Sequence, residues 1–117
     1  MHEASLMERL LFKAQEALVP YRVDRVNVLY VRAGRMANIM PDALQFAFES
    51  QTGAGIFMGA KMELTIVPVS ARCNQCGREY ESEIIPLTCP GCGSHDAVIV
   101  SGDQVYLASI DFDGEAK

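Results

Sequence analysis

The four cysteines of this chain form two matched pairs, Cys73-Asn-Gln-Cys76-Gly77 and Cys89-Pro-Gly-Cys92-Gly93, and the chain has no others. Two residues between cysteines let one tight turn aim both sulfurs at a single point. A glycine after each second cysteine suits the left-handed backbone that closes such a turn. Two of these knuckles facing each other make a closed tetrahedral shell of four thiolates, the usual form of structural zinc. The twelve residues between Cys76 and Cys89 are slightly fewer than the common template, yet enough for a hairpin. Two other uses of the pairs fit less well. Two disulfides need an oxidising compartment, and Glu3, Glu8, Arg9 and Lys13 break up any apolar signal segment. A thioredoxin-type redox pair needs C-x-x-C at a helix start and leaves the repeat unexplained.

At 117 residues, half of them apolar, the chain can build one compact unit with a small appendage. No apolar run approaches the ~18 residues of a membrane span, so no membrane partner is expected. The formal charge is −5 and the sequence pI about 4.9. That balance argues against nucleic acid, whose phosphates need a basic face. The expected localisation is cytoplasmic.

Periodicity places an amphipathic helix over Ala4 to Val19, with Leu6, Leu10, Ala14 and Leu18 on one stripe. Tyr21 to Val31 reads as a strand. Pro41 opens a second helix that runs to about Gln51 and buries Leu44, Phe46, Ala47 and Phe48. Lys61 to Val69, Ala97 to Val100 and Val105 to Phe112 read as further strands, and the polar tail from Asp111 to Lys117 as frayed. The fold class expected is α+β: two helices on one face of a small mixed three-stranded sheet, with an inserted four-cysteine zinc-ribbon domain. Residues 1–70 and 98–117 form the α/β domain and 71–97 the zinc ribbon. Strand, helix and strand from Tyr21 to Val69 make a right-handed crossover between parallel strands.

A second metal signal lies at the N-terminus. The α-amine of Met1, the backbone nitrogen of His2 and its imidazole can close adjacent chelate rings on one ion, with Glu3 adding an oxygen or nitrogen. Nitrogen-rich planar donor sets suit Ni(II) or Cu(II). A cation is disfavoured at the positive end of a helix dipole, so residues 1–3 should lie outside the helix or unwind from it to hold metal. Glu3 also complements that dipole simply as an acid.

The start Met1-His2-Glu3-Ala4-Ser5-Leu6 resembles the M-H-E-x-S-L opening of the HypA/HybF family, nickel-delivery accessory proteins of NiFe hydrogenase maturation. Asp42-Ala-Leu44-Gln-Phe-Ala-Phe48-Glu49 is similar to that family's second helix. The double knuckle, Cys92-Gly-Ser-His95-Asp96 and Gly102-Asp-Gln-Val-Tyr-Leu107 continue the likeness along nearly the whole chain. The resemblance implies a nickel-binding α/β domain with a zinc domain inserted before the last strand. It implies that His2, with Met1 and Glu3, binds Ni(II) as transported cargo, and that Cys73, Cys76, Cys89 and Cys92 hold structural Zn(II). Some relatives add a carboxylate at the second helix. Here Asp42 is the closest acid, while Met40 stands at the aligned position. His95 reads as a turn residue beside the ribbon, with replacement of a thiolate as the sharper alternative.

The function implied is a non-enzymatic metallochaperone that accepts nickel from a nickel-handling maturation GTPase and delivers it to the hydrogenase large-subunit precursor. Related clients include urease. The state expected is a monomer or weak homodimer. The alternative is a zinc-ribbon interaction module that transports nothing. A hydrolytic zinc enzyme fails on coordination, since four thiolates leave no open position for water. Because metal binding to such a small module is itself folding free energy, about 10–16 kcal/mol in zinc peptides, a strong chelator should melt residues 71–97 and leave the α/β part mostly folded. Circular dichroism checks this: collapse of all secondary structure on chelation would contradict a two-part chain.

Overall fold

The computed structural model describes residues 3–84 and 86–117. The elements run α1 (Glu3–Leu18), β1 (Tyr21–Gly34), α2 (Pro41–Gln51), β2 (Lys61–Val67), β3 (Val69–Cys73), β4 (Glu79–Ser82), β5 (Ala97–Ser101) and β6 (Val105–Ala116). Short 3-10 turns sit at Arg35–Ala37 and Gly55–Phe57. The strands make two sheets of three, ordered β2-β1-β6 and β4-β3-β5. The expected class is the one observed: two helices with a small mixed sheet, and the four cysteines gathered in a separate module.

The chain divides into two compact units. The first holds the chain up to Arg32, Ile39–Thr65 and Tyr106–Lys117, and the second holds Ala33–Asn38 and Ile66–Val105. In the first unit the 3.6-residue stripe of α1 buries Leu6, Met7, Leu10, Leu11, Ala14 and Leu18, and α1 packs against α2. The fully buried side chains here include Met7, Val26, Leu29, Val31, Leu44 and Phe48, each contributing about 1.5–3 kcal/mol through burial. On β1, Leu29 and Val31 are buried while Tyr30 and Arg32 are exposed, the period-two pattern of a half-covered sheet. Upstream the inward phase is carried by Val26, three residues before Leu29, so the alternation slips once.

Pro41 occupies the first turn of α2, where its missing N–H costs nothing, and the Leu44 N–H donates to the Met40 carbonyl. Thr52, buried at the other end, donates its hydroxyl to the Phe48 carbonyl at 2.7 Å and ends the helix. Phe46 is not in the core: it is 71% exposed. Leu44, Ala47 and Phe48 share the inward stripe, and a residue two positions after Leu44 points some 200° away from it.

The acidic tail is likewise ordered. It forms the second half of β6, antiparallel to β1, with Arg22 on Glu115 at 3.0 Å, Arg25 on Asp113 at 2.9 Å and the Lys117 N–H on the Pro20 carbonyl. The hydrogen bond from Arg25, then one from Asn27, hold the Asp113 carboxyl below its usual range. These exposed pairs are worth only about 0–1 kcal/mol each.

The second unit is wider than the expected 71–97. Its sheet is antiparallel on both sides of β3, pairing Ala71 with Tyr80 on β4 and with Ile99 on β5. It also takes in Ala33–Asn38, which lies upstream of α2. Backbone contacts made by glycine explain this. The Gly34 N–H donates to Gln104 and the Met36 N–H to Gly102, at 2.8 and 2.9 Å. A Cβ on Gly34 would fall on the Gly102 carbonyl, and one on Gly102, whose φ is +98°, would lie 2.7 Å from the Pro68 carbonyl oxygen. Three chain segments therefore cross where no side chain fits. Gly34→Ala should destabilise the protein by about 3 kcal/mol or more, whereas Gly53→Ala, in open space, should stay within about 0.5 kcal/mol. Urea unfolding midpoints of the two variants provide the comparison.

Candidate metal centre

Each knuckle is built from the same four backbone features. Cys73 N–H donates to Arg78 and Cys89 N–H to Ser94, at 2.8 and 2.9 Å. Gly77 N–H returns to the Cys73 carbonyl and Gly93 N–H to the Cys89 carbonyl, both at 2.9 Å. Gly77 and Gly93 both adopt φ +76°, which a side chain would strain. Within each turn one N–H points at the first sulfur: Gln75 at Cys73, 3.4 Å, and Gly91 at Cys89, 3.3 Å. The two knuckles are clamped by Asn74, which donates its N–H to the Asp96 carbonyl and its Nδ2 to Asp96 Oδ1.

The four sulfurs lie within 4.8 Å of one another, with Cys73 and Cys92 at 3.5 Å and Cys76 and Cys89 at 3.6 Å. All four are free thiols, and these distances are far beyond a disulfide bond of about 2.05 Å. They match a metal shell. Sulfurs at about 2.3 Å from a tetrahedral ion are about 3.8 Å apart. Cys73 and Cys89 are buried, Cys76 and Cys92 exposed.

The protons of such a cluster cannot all leave independently. Backbone N–H donation, from Cys92 and then Gly91, with side-chain bonds from its neighbours, outweighs burial and lowers the Cys89 thiol to about 6. The Cys73 thiol is lowered in the same way, first by the Cys76 N–H. At Cys92 the Ser94 N–H lowers, but the bond to Cys73, burial, Cys89 and Cys76 together raise the thiol to about 12. A divalent cation removes this conflict by neutralising half of the four charges at their centre. The donor set, all sulfur and with no open position, suits a structural ion rather than a catalytic one.

Among the described residues the only group of three or more metal-capable side chains is this quartet. His95 is not in it. Its Nδ1 donates to the Leu87 carbonyl at 2.9 Å and lies 3.2 Å from the Thr88 hydroxyl. Met1 and His2 lie outside the described residues. Glu3 is the first residue of α1, inside the helix rather than ahead of it. Glu3 and Ser5 line an open hollow of about 610 Å³ together with Asp42, Phe46 and Ser50 from α2. Gln51 Nε2 donates to the Ala4 carbonyl at 3.0 Å, fixing the end of α2 to the first turn of α1. Met40, 67% exposed, does not line this hollow. Two neighbours of the quartet were not expected from sequence: the Asn74–Asp96 clamp and Tyr80, which is buried against the cysteines. The alternation of Glu79, Tyr80 and Glu81 was the available signal for Tyr80.

No described helix is long and apolar enough to cross a membrane. Sequence and fold comparisons converge on one family. The profile described as "Hydrogenase/urease nickel incorporation, metallochaperone, hypA" matches residues 1–112. A protein named hydrogenase maturation factor HypA from Dechloromonas aromatica is 31% identical over 118 residues, covering 97% of this chain and 100% of that one. Another of that name from Dehalococcoides mccartyi strain CBDB1 is 32% identical over 121 residues, covering 100% of this chain and 98% of the relative. The solution structure of the Ni metallochaperone HypA from Helicobacter pylori shares the fold, with a TM-score of 0.73 and 19% identity over 96% of this chain and 97% of that chain. The chain belongs to the HypA family of hydrogenase/urease nickel incorporation metallochaperones.

Proposed function

We propose that this protein carries Ni(II) at its N-terminus, on the Met1 amine, His2 and Glu3, and delivers it to the NiFe hydrogenase large-subunit precursor. The profile match that begins at residue 1 carries this reading, because it takes in the Met1-His2-Glu3 sequence able to chelate a tetragonal ion. That Glu3 and Asp42 both line one open hollow supports it. Two carboxylates there would offset a cation's charge at helix ends that otherwise repel it. An open rim suits transfer, since ligand exchange needs access from outside.

The four-cysteine centre holds Zn(II) and stays loaded while nickel comes and goes. Neither centre performs catalysis in this reading: the quartet is closed and the N-terminal site releases its ion unchanged. The GTPase of the maturation pathway is the partner on the nickel-receiving side, the setting is the cytoplasm, and the protein acts as a monomer or weak homodimer.

Isothermal titration of untagged protein with Ni(II) tests the site. His2→Ala should abolish stoichiometric nickel binding without lowering zinc content, and one extra residue ahead of Met1 should weaken it by displacing the amine. If both variants take up nickel like the wild type, the N-terminal site is wrong and a zinc-ribbon interaction module is left.

Two further expectations follow from the same geometry. Asp42→Asn should weaken nickel binding about tenfold, the scale of a residue that supports a metal site; an unchanged isotherm would confine the site to residues 1–3. Binding should also weaken as pH falls through about 7.7–8.0, where a free α-amine takes up its proton. A flat response from pH 8.5 to 6.5 would remove the amine from the ligand set.

A further inference from the structure

Tyr80 faces Ala71 across the β3–β4 ladder, and its ring packs with Ala71, Cys73 and Cys89, with Leu87 and Ala97 against them. It is 9% exposed. Among the described residues, its hydroxyl is the one buried side-chain polar atom without a hydrogen-bond partner. A buried hydroxyl left unpaired costs stability, and phenylalanine would fill the same space without that cost. Ala71, Leu87 and Ala97 offer no side-chain acceptor. The polar side-chain atoms of this cluster are the sulfurs of Cys73 and Cys89.

We propose that the Tyr80 hydroxyl donates a hydrogen bond to a metal-bound thiolate of the cysteine quartet, that of Cys73 or Cys89, and thereby sets how firmly the centre holds its ion. The inference rests on reading the quartet as a closed metal–thiolate shell. Cys73 and Cys89 are singled out because they are the two buried cysteines of the quartet and the two that pack with this ring. Cys73 already receives the Gln75 N–H and Cys89 the Gly91 N–H. A second donor withdraws further charge from either sulfur and makes it less basic and less nucleophilic. Tyr80 is therefore a positioning and tuning residue, not a ligand.

The test uses the full chain loaded with Zn(II) or Co(II), wild type beside Tyr80→Phe. Metal content comes first. A wild-type protein that binds no ion overturns the thiolate shell itself, independently of Tyr80. With about one ion bound per chain, two readouts address the hydroxyl. In the Co(II) form, Tyr80→Phe should move the sulfur-to-cobalt charge-transfer band to lower energy, because the sulfur lone pairs lose a stabilising donor. In the Zn(II) form, alkylation of the bound thiolates by iodoacetamide should accelerate about tenfold. An unchanged band and an unchanged alkylation rate overturn the proposal, and a higher melting temperature in the same variant would identify the hydroxyl as an unpaired group whose removal is a relief. One measurement needs no variant. Adding Zn(II) to wild type should shift the near-ultraviolet tyrosine absorption to longer wavelength as the phenol gains an acceptor, and a spectrum that metal leaves unmoved also overturns the proposal.

Discussion

Four thiol sulfurs within 4.8 Å of one another dominate the second unit. Neutral, they would be a small apolar cluster of no great stability. Ionised, they would repel one another at distances where charge interactions are strong. A cation at their centre resolves this, where the sheet ladders and the small cluster around Tyr80 hold the strands but not the charges. The two knuckles solve the same problem twice with the same backbone turn, and the Asn74–Asp96 clamp ties the two solutions together. The three-stranded sheet of β3, β4 and β5 serves as the frame on which those turns are mounted.

The first unit depends on something different. Its stability comes from the packed stripe of α1 and α2 with the inward residues of β1, and an open hollow runs from the first turn of α1 along α2. There the sequence offers Glu3 and Asp42, thirty-nine positions apart, and the fold brings them to one hollow. In the function proposed above, a structural metal that does not exchange and a cargo metal that must are kept on differently built sites, one among four sulfurs and the other open at a chain terminus.

Much of this was readable beforehand. The cysteine spacing foretold the quartet, and Pro41 with Leu44, Ala47 and Phe48 foretold the start and the buried face of α2. What escaped notice did so for physical reasons. Phe46 is apolar by type but faces outward by angle. The acidic tail looked frayed because its partners, Arg22 and Arg25, lie about ninety residues away in sequence. Strand β4 is four residues long, and its one buried side chain, Tyr80 between Glu79 and Glu81, is a short signal beside the cysteine pairs. The membership of Ala33–Asn38 in the second unit depends on backbone hydrogen bonds at glycine, and an absent side chain leaves no pattern to read.

That last feature has a consequence for the modularity of the fold. A ribbon inserted at a single place could be cut out with two incisions and moved to another protein. This one borrows a loop from earlier in the chain, so the polypeptide passes between the units four times. Excising Ile66–Val105 would strand Ala33–Asn38 without the carbonyls of Gly102 and Gln104 that hold it, immediately ahead of the helix that carries Asp42. The two units are thus compact but not portable. Evolution can vary the sequence of either one, but it cannot readily trade one away and leave the entrance to α2 intact.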